Sequence, residues 1–427
     1  MSHETRMHLN VNRHGDVTRR SFLQMGAAGV AGSAFLSQIS LNAAELKKSG
    51  RACILVWLAG APSQMEMFDP KPGTKNGGPT KAIRTAIPGV KIAEHWPKIA
   101  AMLNDVAVIR SMKGKEAAHA RGTYHLHTGR RQTGNLKFPN IGSVVAKQIG
   151  DPDSDMPNFV SVGKTLSSGF LGIPYAPFLV NRPGQLPNDV AAGVPQTRVR
   201  RRLALLKQQD ADFALEGAEQ LVGEHQTLYN RAKKLMNSPR LKAFTLDDEP
   251  QRSKAAYGKS QLGQGLLVAR RLVEAGVPFV EVRKGGWDMH NRLFGRIKPA
   301  AADVDNALSQ LLKDLKQRGM LEKTVVICMG EFGRTPKINK RKPAVGRDHW
   351  ARNFNLLMAG AGIRGGAVVG KTDANGQKIT DRPVAVEDFF QTLCKAMHID
   401  ADHELTGPGG RPLKIVDGGK PVIELFG

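Results

Sequence analysis

Acidic and histidine side chains recur in this sequence just after short apolar runs. They are Glu66 (or Asp69 beside it), Asp288, His290, Glu331, Asp348 and His349. Asp, Glu and His side chains together, without cysteine, favour Zn²⁺ or Mn²⁺ over Ca²⁺, which prefers oxygen ligands alone. A divalent metal in such a site polarises a phosphoryl, sulfuryl or carbonyl oxygen and lowers the pKa of bound water to about 7. The residue types therefore predict binding of a divalent metal, zinc or manganese.

A second group of candidates lies in the stretch EAAHARGTYHLHTGRRQTGN, which contains His119, His125 and His127. On a helix, His125 and His127 would point about 200° apart and could not share a metal, whereas on a strand or an irregular loop they could. We expect His119 or His127 to act as an acid or base. Guanidinium groups bind phosphate, sulfate or carboxylate through paired hydrogen bonds. The candidates for binding a substrate anion in this way are Arg121, Arg334 and Arg347.

The apolar runs have the character of buried strands. Thr324–Met329 is β-branched and has no polar break, which is typical of a strand covered on both faces of a parallel sheet. Residues 51–59 and 277–282 are similar, and all three runs are followed by glycine and then by acidic or histidine residues. Open α/β sheets bind ligands at the carboxyl ends of their strands. We therefore expect the candidate ligands to meet at one edge of one sheet.

The spacing of apolar residues predicts the other elements. A helix at 300–318 would join the strands at 277–282 and Thr324–Met329 through a right-handed parallel crossover. Further strands are predicted at 105–109 and 355–359, and further helices at 140–148, 265–275 and 386–397. Charged amphipathic helices are predicted from about 197 to 250, as an insertion that covers the sheet. The predicted fold class is α/β, with a mostly parallel central sheet.

The N-terminus predicts export. Thr18-Arg19-Arg20-Ser21-Phe22-Leu23 contains a twin-arginine pair, and a small-residue apolar run follows it. This run is too short for a spanning helix, so residues 1–44 are interpreted as a Tat-type signal and no transmembrane segment is expected. The expected partner during export is the Tat translocase, and the expected location is periplasmic or extracellular.

The chain is strongly basic. Its 62 Lys and Arg and 38 Asp and Glu give a formal charge of +24, which favours a polyanionic partner. An exported protein seldom meets nucleic acid, and no recognition module is visible, so nucleic-acid binding would require retention in the cytoplasm. Cys53, Cys328 and Cys394 are far apart in apolar surroundings and are predicted to be buried core residues.

Several motifs resemble those of the DUF1501 family of exported bacterial proteins, which is grouped with the alkaline phosphatase and sulfatase superfamily. They are TRRSFL, GAPSQMEMFDP, HTG, ARRLVEAGVPFVEV followed by GGWDMH, MGEFGRTPKIN and GRDHW. The resemblance covers residues 45–427 as a single domain. It implies a three-layer sandwich, alkaline phosphatase-like, with metal ligands at strand ends. By this likeness Asp288 and His290 resemble the mid-chain ligand pair, Glu331 stands where the superfamily usually has Asp, and His349 matches the late histidine.

The likeness also shows a difference. Thr128-Gly129-Arg130 resembles the T-G-R of sulfatases, but the preceding C-x-P-S-R segment is missing, and His119 falls where the formylglycine precursor would be. This argues against a formylglycine sulfatase. Phosphatases of the superfamily use Ser or Thr, and Thr123 is out of register. Three alternatives are left: attack by hydroxide on a metal, attack by His119, or loss of catalysis.

Two functions are therefore expected from the sequence. The first is an exported metal-dependent hydrolase of anionic esters, phosphate or sulfate, acting on small molecules or acidic polysaccharides. The second is a catalytically inactive envelope protein that binds acidic glycans through its basic surface.

Overall fold

The computed structural model describes residues 50–187, 190 and 196–427, so the predicted signal at 1–44 lies outside the described residues. The strands are β1 Ala52–Leu58, β2 Ala82–Arg84, β3 Lys91–Ala93, β4 Ala107–Lys113, β5 Phe159–Val162, β6 Phe178–Val180, β7 Phe279–Lys284, β8 Thr324–Met329, β9 Gly333–Arg334, β10 His349–Trp350, β11 Phe354–Ala359, β12 Val368–Val369, β13 Lys371–Thr372, β14 Ile379–Asp381, β15 Val384–Ala385, β16 Glu404–Thr406 and β17 Pro412–Lys414. The α-helices are α1 Pro97–Ala101, α2 His119–Thr128, α3 Ile141–Gln148, α4 Gln196–Phe213, α5 Glu219–Met236, α6 Gln251–Tyr257, α7 Gln261–Glu274, α8 Leu293–Gln317 and α9 Val386–Ala396.

A nine-stranded sheet forms the centre of the described part of the chain. Its order is β12-β4-β11-β8-β1-β7-β5-β6, with β15 beside β4. β11 is antiparallel to β4 and β8, whereas β1, β7, β8, β5 and β6 pair in parallel. The predicted α/β fold with a mostly parallel central sheet is confirmed.

β1 lies between β7 and β8, and all seven of its residues are buried. Successive side chains of a strand point to opposite faces, so continuous burial requires cover on both sides of the sheet. Ile54, Val56 and Leu58 belong to the main apolar core, together with residues of α7 and α8. Trp57 points to the other face and contacts the ring of His127 on α2. The sheet is therefore the middle of three layers.

Glycines bring helices close to both faces of the sheet. A Cβ on Gly265 of α7 would lie 2.8 Å from Val282 of β7. On the opposite face, a Cβ on Gly142 of α3 would lie 2.7 Å from the rings of Phe159 and Phe279. Asn140 begins α3 by accepting a hydrogen bond from the Gly142 amide at 2.9 Å. The helices can pack this closely because these positions have no side chain.

The carboxyl ends of β1, β7 and β8 meet at one edge of the sheet, because the three strands are parallel neighbours. Gly60, after β1, has a φ of 111°, and a Cβ there would lie 2.4 Å from the amide nitrogen of Asp288. A Cβ on Gly330, after β8, would lie 2.4 Å from the Pro62 ring. Glycine thus lets the three loops pack against one another at the edge where ligands were predicted.

The helices α4 and α5 lie in the region predicted as a helical insertion, and α6 follows it. Within the described residues, no helix combines the length and apolar character needed to cross a bilayer. Cys53, Cys328 and Cys394 are buried and free, as predicted.

Candidate metal centre and adjoining cleft

Four segments bring most of the predicted residues together at the sheet edge. His119 is the first residue of α2, Asp288 and His290 follow β7, Glu331 follows β8, and Asp348 and His349 lie at β10. β10 is held in place by its antiparallel pairing with β9, in which His349 lies opposite Arg334. One ligand atom each from His119, Asp288 and His349 lies within 4.8 Å of the others. These atoms define the centre of the cluster.

His119 is oriented by a buried carboxylate. Its Nδ1 lies 2.7 Å from Oε1 of Glu331, which also accepts a hydrogen bond from the Gly60 amide at 2.9 Å. The hydrogen bond to Glu331 raises the pKa of His119 against the opposing effect of burial. The His119 Nε2 lies 3.4 Å from Oδ2 of Asp288, and neither this Nε2 nor Oε2 of Glu331 has a hydrogen-bond partner. A buried imidazole nitrogen without a partner is unusual, and a cation bound at His119 Nε2 would satisfy it.

The rings of His290 and His349 face each other with their Nε2 atoms. Nδ1 of His290 lies 2.7 Å from Oδ1 of Asp348, and Nδ1 of His349 lies 2.7 Å from the carbonyl oxygen of Ala117. Their Nε2 atoms are only 2.9 Å apart, at 3.1 and 3.5 Å from Oδ1 of Asp288. Burial and the nearby Arg334 lower the pKa of His349.

The hydrogen bonds at Nδ1 determine whether each Nε2 atom carries a hydrogen or a lone pair. A carboxylate or carbonyl oxygen only accepts, so the Nδ1 atoms of His119, His290 and His349 carry the hydrogens and each neutral ring has a lone pair at Nε2. Two lone pairs 2.9 Å apart repel unless a proton or a cation lies between them. Metal-bound histidines commonly donate their second nitrogen to a carboxylate or carbonyl in this way. The imidazoles of His119 and His349 and the carboxylate of Asp288 therefore fit a divalent metal ion, with His290 beside them.

Arg334 holds the surrounding loops together. It is 1 % exposed, and its three nitrogens donate to the carbonyls of Gly60, Ala61 and Arg347 and, at 2.5 Å, to Oδ1 of Asp288. Partial burial disfavours ionised Asp288, but the hydrogen bond and charge of Arg334 outweigh it and lower the pKa to about 2. The sequence led us to expect Arg334 to bind a substrate anion, but its donors are directed at the protein itself.

Glu66 and Arg347, predicted as a metal ligand and an anion-binding residue, lie outside the cluster and pair with each other. Both are completely buried, with Nη2 of Arg347 2.8 Å from Oε1 of Glu66 and Nε 3.0 Å from Oε2. The remaining donors of Arg347 bind backbone carbonyls. A buried charge needs such compensation, so neither side chain is left for a metal or a substrate. The alternative candidate Asp69 is paired with Lys71 at 2.9 Å.

Arg121 lies on the outside of α2. Its side chain is 62 % exposed, and its Nε donates to Glu116 at 2.9 Å. The other oxygen of Glu116 accepts from Arg131 at 2.7 Å. Arg121 is therefore not among the side chains that line the cleft beside the cluster.

His127 forms a buried pair with a glutamate that sequence reasoning missed. Its Nδ1 lies 2.9 Å from the carbonyl of Thr123 and its Nε2 3.2 Å from Glu281, whose second oxygen accepts from Thr165 at 2.6 Å. Burial alone would lower the pKa of His127, but the charge and hydrogen bond of Glu281 raise it. Because both ring nitrogens face acceptors, the pair holds a proton.

The position of His125 confirms that, on a helix, His125 and His127 cannot share a metal. It lies two residues before His127 on α2, is buried, and neither of its ring nitrogens has a hydrogen-bond partner. Unlike His127, it does not line the cleft. The two histidines therefore do not share a site.

A cleft of about 610 Å³ joins the cluster to the His127 pair. It is lined by His119, Asp288 and Glu331 and also by His127 and Glu281. Its dimensions are those of pockets that accept small organic ligands. Two cations that line the cleft were also missed in the sequence, where they are indistinguishable from many other basic residues. They are Lys164 and Arg283.

Comparison with solved structures finds distant similarities. PsFucS1 sulfatase from Pseudoalteromonas sp. is 12% identical, with a TM-score of 0.40, and the match covers 84% of this chain and 72% of that one. The C-terminal periplasmic domain of EcEptC from Escherichia coli is 9% identical, with a TM-score of 0.39 and 86% of both chains covered. Phosphonate monoester hydrolase of Agrobacterium radiobacter is 14% identical, with a TM-score of 0.37 and coverages of 88% and 77%.

No curated protein matches the sequence. The family model described as "Protein of unknown function (DUF1501)" matches residues 50–426, which is nearly the whole described chain. The motifs quoted from the sequence predicted this result. The chain belongs to the DUF1501 family.

Proposed function

We propose that this protein is an exported metal-dependent hydrolase of anionic esters, phosphate or sulfate, including those of acidic polysaccharides. The observation that supports it most is the convergence of three imidazole Nε2 atoms on Asp288, each imidazole being oriented from behind by an acceptor at Nδ1. His119, His349 and Asp288 supply two imidazoles and a carboxylate, the ligand set of a catalytic zinc site with an open fourth position, which favours zinc over manganese.

In this proposal the predicted ligands have two different roles. His119, His349 and Asp288 would bind the metal, and His290 adjoins them. Glu331 and Asp348 lie behind His119 and His290 and fix their orientation, rather than serving as ligands themselves. When bound, the ion would act as a Lewis acid toward the ester.

Proton transfer falls to the protein's own groups. His119 was a candidate acid or base, but in this proposal its Nε2 is used to bind the metal and its Nδ1 is held by Glu331. His127 lines the same cleft and shares a proton with Glu281, so it is the better candidate to protonate a leaving group.

Metal analysis and turnover test the proposal together. Protein purified without chelators should contain about one equivalent of zinc and hydrolyse 4-nitrophenyl phosphate or 4-nitrophenyl sulfate. Asp288→Ala should lose both metal and turnover, whereas Glu116→Gln, outside the cleft, should retain them. Less than about half an equivalent of any divalent ion in the wild type, or a fully active Asp288→Ala variant, would contradict the proposal.

A second candidate is an inactive envelope protein that binds acidic glycans. It is favoured by the basic composition and by the histidine that stands where a sulfatase would have its formylglycine precursor. It predicts salt-sensitive retention on a polyanion without ester turnover. If Glu331→Ala and His349→Ala leave such retention unchanged and no ester is hydrolysed, this second function replaces the first.

Export is tested separately. Replacing Arg19 and Arg20 by lysine should retain the protein in the cytoplasm, because the Tat pathway reads the arginine pair. Fractionation of cells that express the two forms gives the answer. Equal amounts of both forms outside the cytoplasm would contradict Tat export.

A further inference from the structure

Two cations from neighbouring strands line the cleft. β5 and β7 are parallel neighbours, with Val162 paired to Val282, so the residues after Val162 lie beside the last residues of β7. A Cβ on Gly163 would be 3.2 Å from Cβ of Arg283, which places the Arg283 side chain across the turn that leads to Lys164. Arg283 and Lys164 are both exposed and both line the cleft.

Within the described residues, these two cations have no hydrogen-bonded or ion-paired partner. Neighbouring cations differ in this respect, since Lys284 pairs with Asp303 at 2.6 Å and Arg334 with Asp288 at 2.5 Å. Glu281, two residues before Arg283 on the same strand, is buried and already bound by His127 and Thr165. Two cations without a partner in the described part of the chain, on the wall of one cleft, favour the binding of an anion there.

We propose that Lys164 and Arg283 bind a second anionic group of the substrate, in addition to the ester that reacts at the metal cluster. This inference rests on the proposed function and makes molecules with at least two anions, such as acidic oligosaccharides, its preferred substrates. The guanidinium of Arg283 can bind a carboxylate, sulfate or phosphate through two parallel hydrogen bonds, and Lys164 adds a point charge. The volume of the cleft accommodates more than a single inorganic anion.

Binding of two probes tests the inference. Benzylphosphonate has one anionic group, and 4-carboxybenzylphosphonate has a second one on the far side of the ring. Calorimetric titration of the wild type with added zinc should show about tenfold tighter binding of the carboxylated probe, the effect of one charge-assisted hydrogen bond. The variant K164Q/R283Q should bind both probes with the affinity that the wild type has for benzylphosphonate.

A matched control variant loses the same two positive charges at positions outside the cleft. Arg252 and Lys313 are exposed cations outside the cleft, so R252Q/K313Q should retain the preference for the carboxylated probe. The inference is overturned if K164Q/R283Q retains this preference, if it weakens both probes equally, or if neither probe binds to the wild type.

Failure of the inference and failure of the proposed function can be told apart, because the titrations do not require turnover. A zinc-containing protein that hydrolyses esters but shows no preference for the second anion would overturn only the subsite. A protein that shows the preference but has no metal and no turnover would overturn only the hydrolase.

Discussion

Each imidazole of the cluster depends on a different acceptor for its orientation. Glu331 serves His119, Asp348 serves His290, and the Ala117 carbonyl serves His349. Since these acceptors would not touch the metal, their removal should alter affinity without removing a ligand. This separates the orienting role of Glu331 from the ligand role that the sequence suggested.

Glu331→Ala should weaken zinc binding by about 10- to 100-fold while leaving the stoichiometry at one ion, because His119 loses the group that fixes its ring. Competition with a chromophoric chelator measures the affinity. Glu331→Gln, which can still accept at the same position, should lose less. Complete loss of binding in both variants would indicate that Glu331 is a direct ligand.

The buried pair of Glu66 and Arg347 has a structural role that can be measured. Glu66→Gln should reduce the free energy of unfolding by about 3–5 kcal/mol, because a buried guanidinium loses its counter-charge. Urea denaturation gives the value. The combined variant Glu66→Gln/Arg347→Met should lose less than the two single variants together, since their energies are coupled. Strict additivity would mean that the pair does not act as a unit.

The sequence predicted the residue types of the site better than their partners. Asp288 and His290 were identified from their D-x-H spacing after a predicted strand. That Glu66 is neutralised by Arg347, 281 positions away, has no local signature. Glu281 lies inside an apolar run that was predicted to be a buried strand. A single charged residue in such a strand could have indicated that it has a buried partner.

At the scale of elements, the strands were predicted well because their apolar runs are continuous. β8 has the predicted limits Thr324–Met329, and β1 and β7 lie within two residues of theirs. The start of α8 was missed: the prediction began after Pro299, a residue that usually breaks helices, but the helix runs through it from Leu293. Tertiary packing decided this boundary.

Contacts between helices and the sheet depend on glycine. Gly142→Ala should destabilise the protein by about 1–3 kcal/mol, because its methyl group would overlap the rings of Phe159 and Phe279. Gly223→Ala on α5 is the matched control, since nothing lies within 4 Å of a Cβ at that position. It should stabilise by about 0.5–1 kcal/mol through helix propensity. Urea midpoints that shift in the same direction for both variants would contradict this account.

At the scale of the whole molecule, His127 should make stability depend on pH. Its pKa in the folded protein is raised, mainly because Glu281 overcomes the effect of burial. The stabilisation from the charged ring is therefore fully present below the unfolded pKa of about 6.5 and is lost as the pH rises through the folded value.

Urea unfolding from pH 5.5 to 9 compares the wild type with His127→Gln. At the acidic end the wild type should have a higher free energy of unfolding than His127→Gln. This difference between the two proteins should shrink as the pH rises. Thr245→Ser, far from the pair in sequence and outside the cleft, serves as a control whose difference from the wild type should not follow this trend. A difference for His127→Gln that is constant across the range would show that the ring does not titrate against Glu281.

Arg334 has a consequence for the order in which the protein matures. Its guanidinium stays protonated at physiological pH and ties the backbone after β1 to the segment that carries His349 and to Asp288. The scaffold of the cluster is thus held together by a cation of the protein itself. In the proposed metalloenzyme, folding and metal acquisition would therefore be separable events.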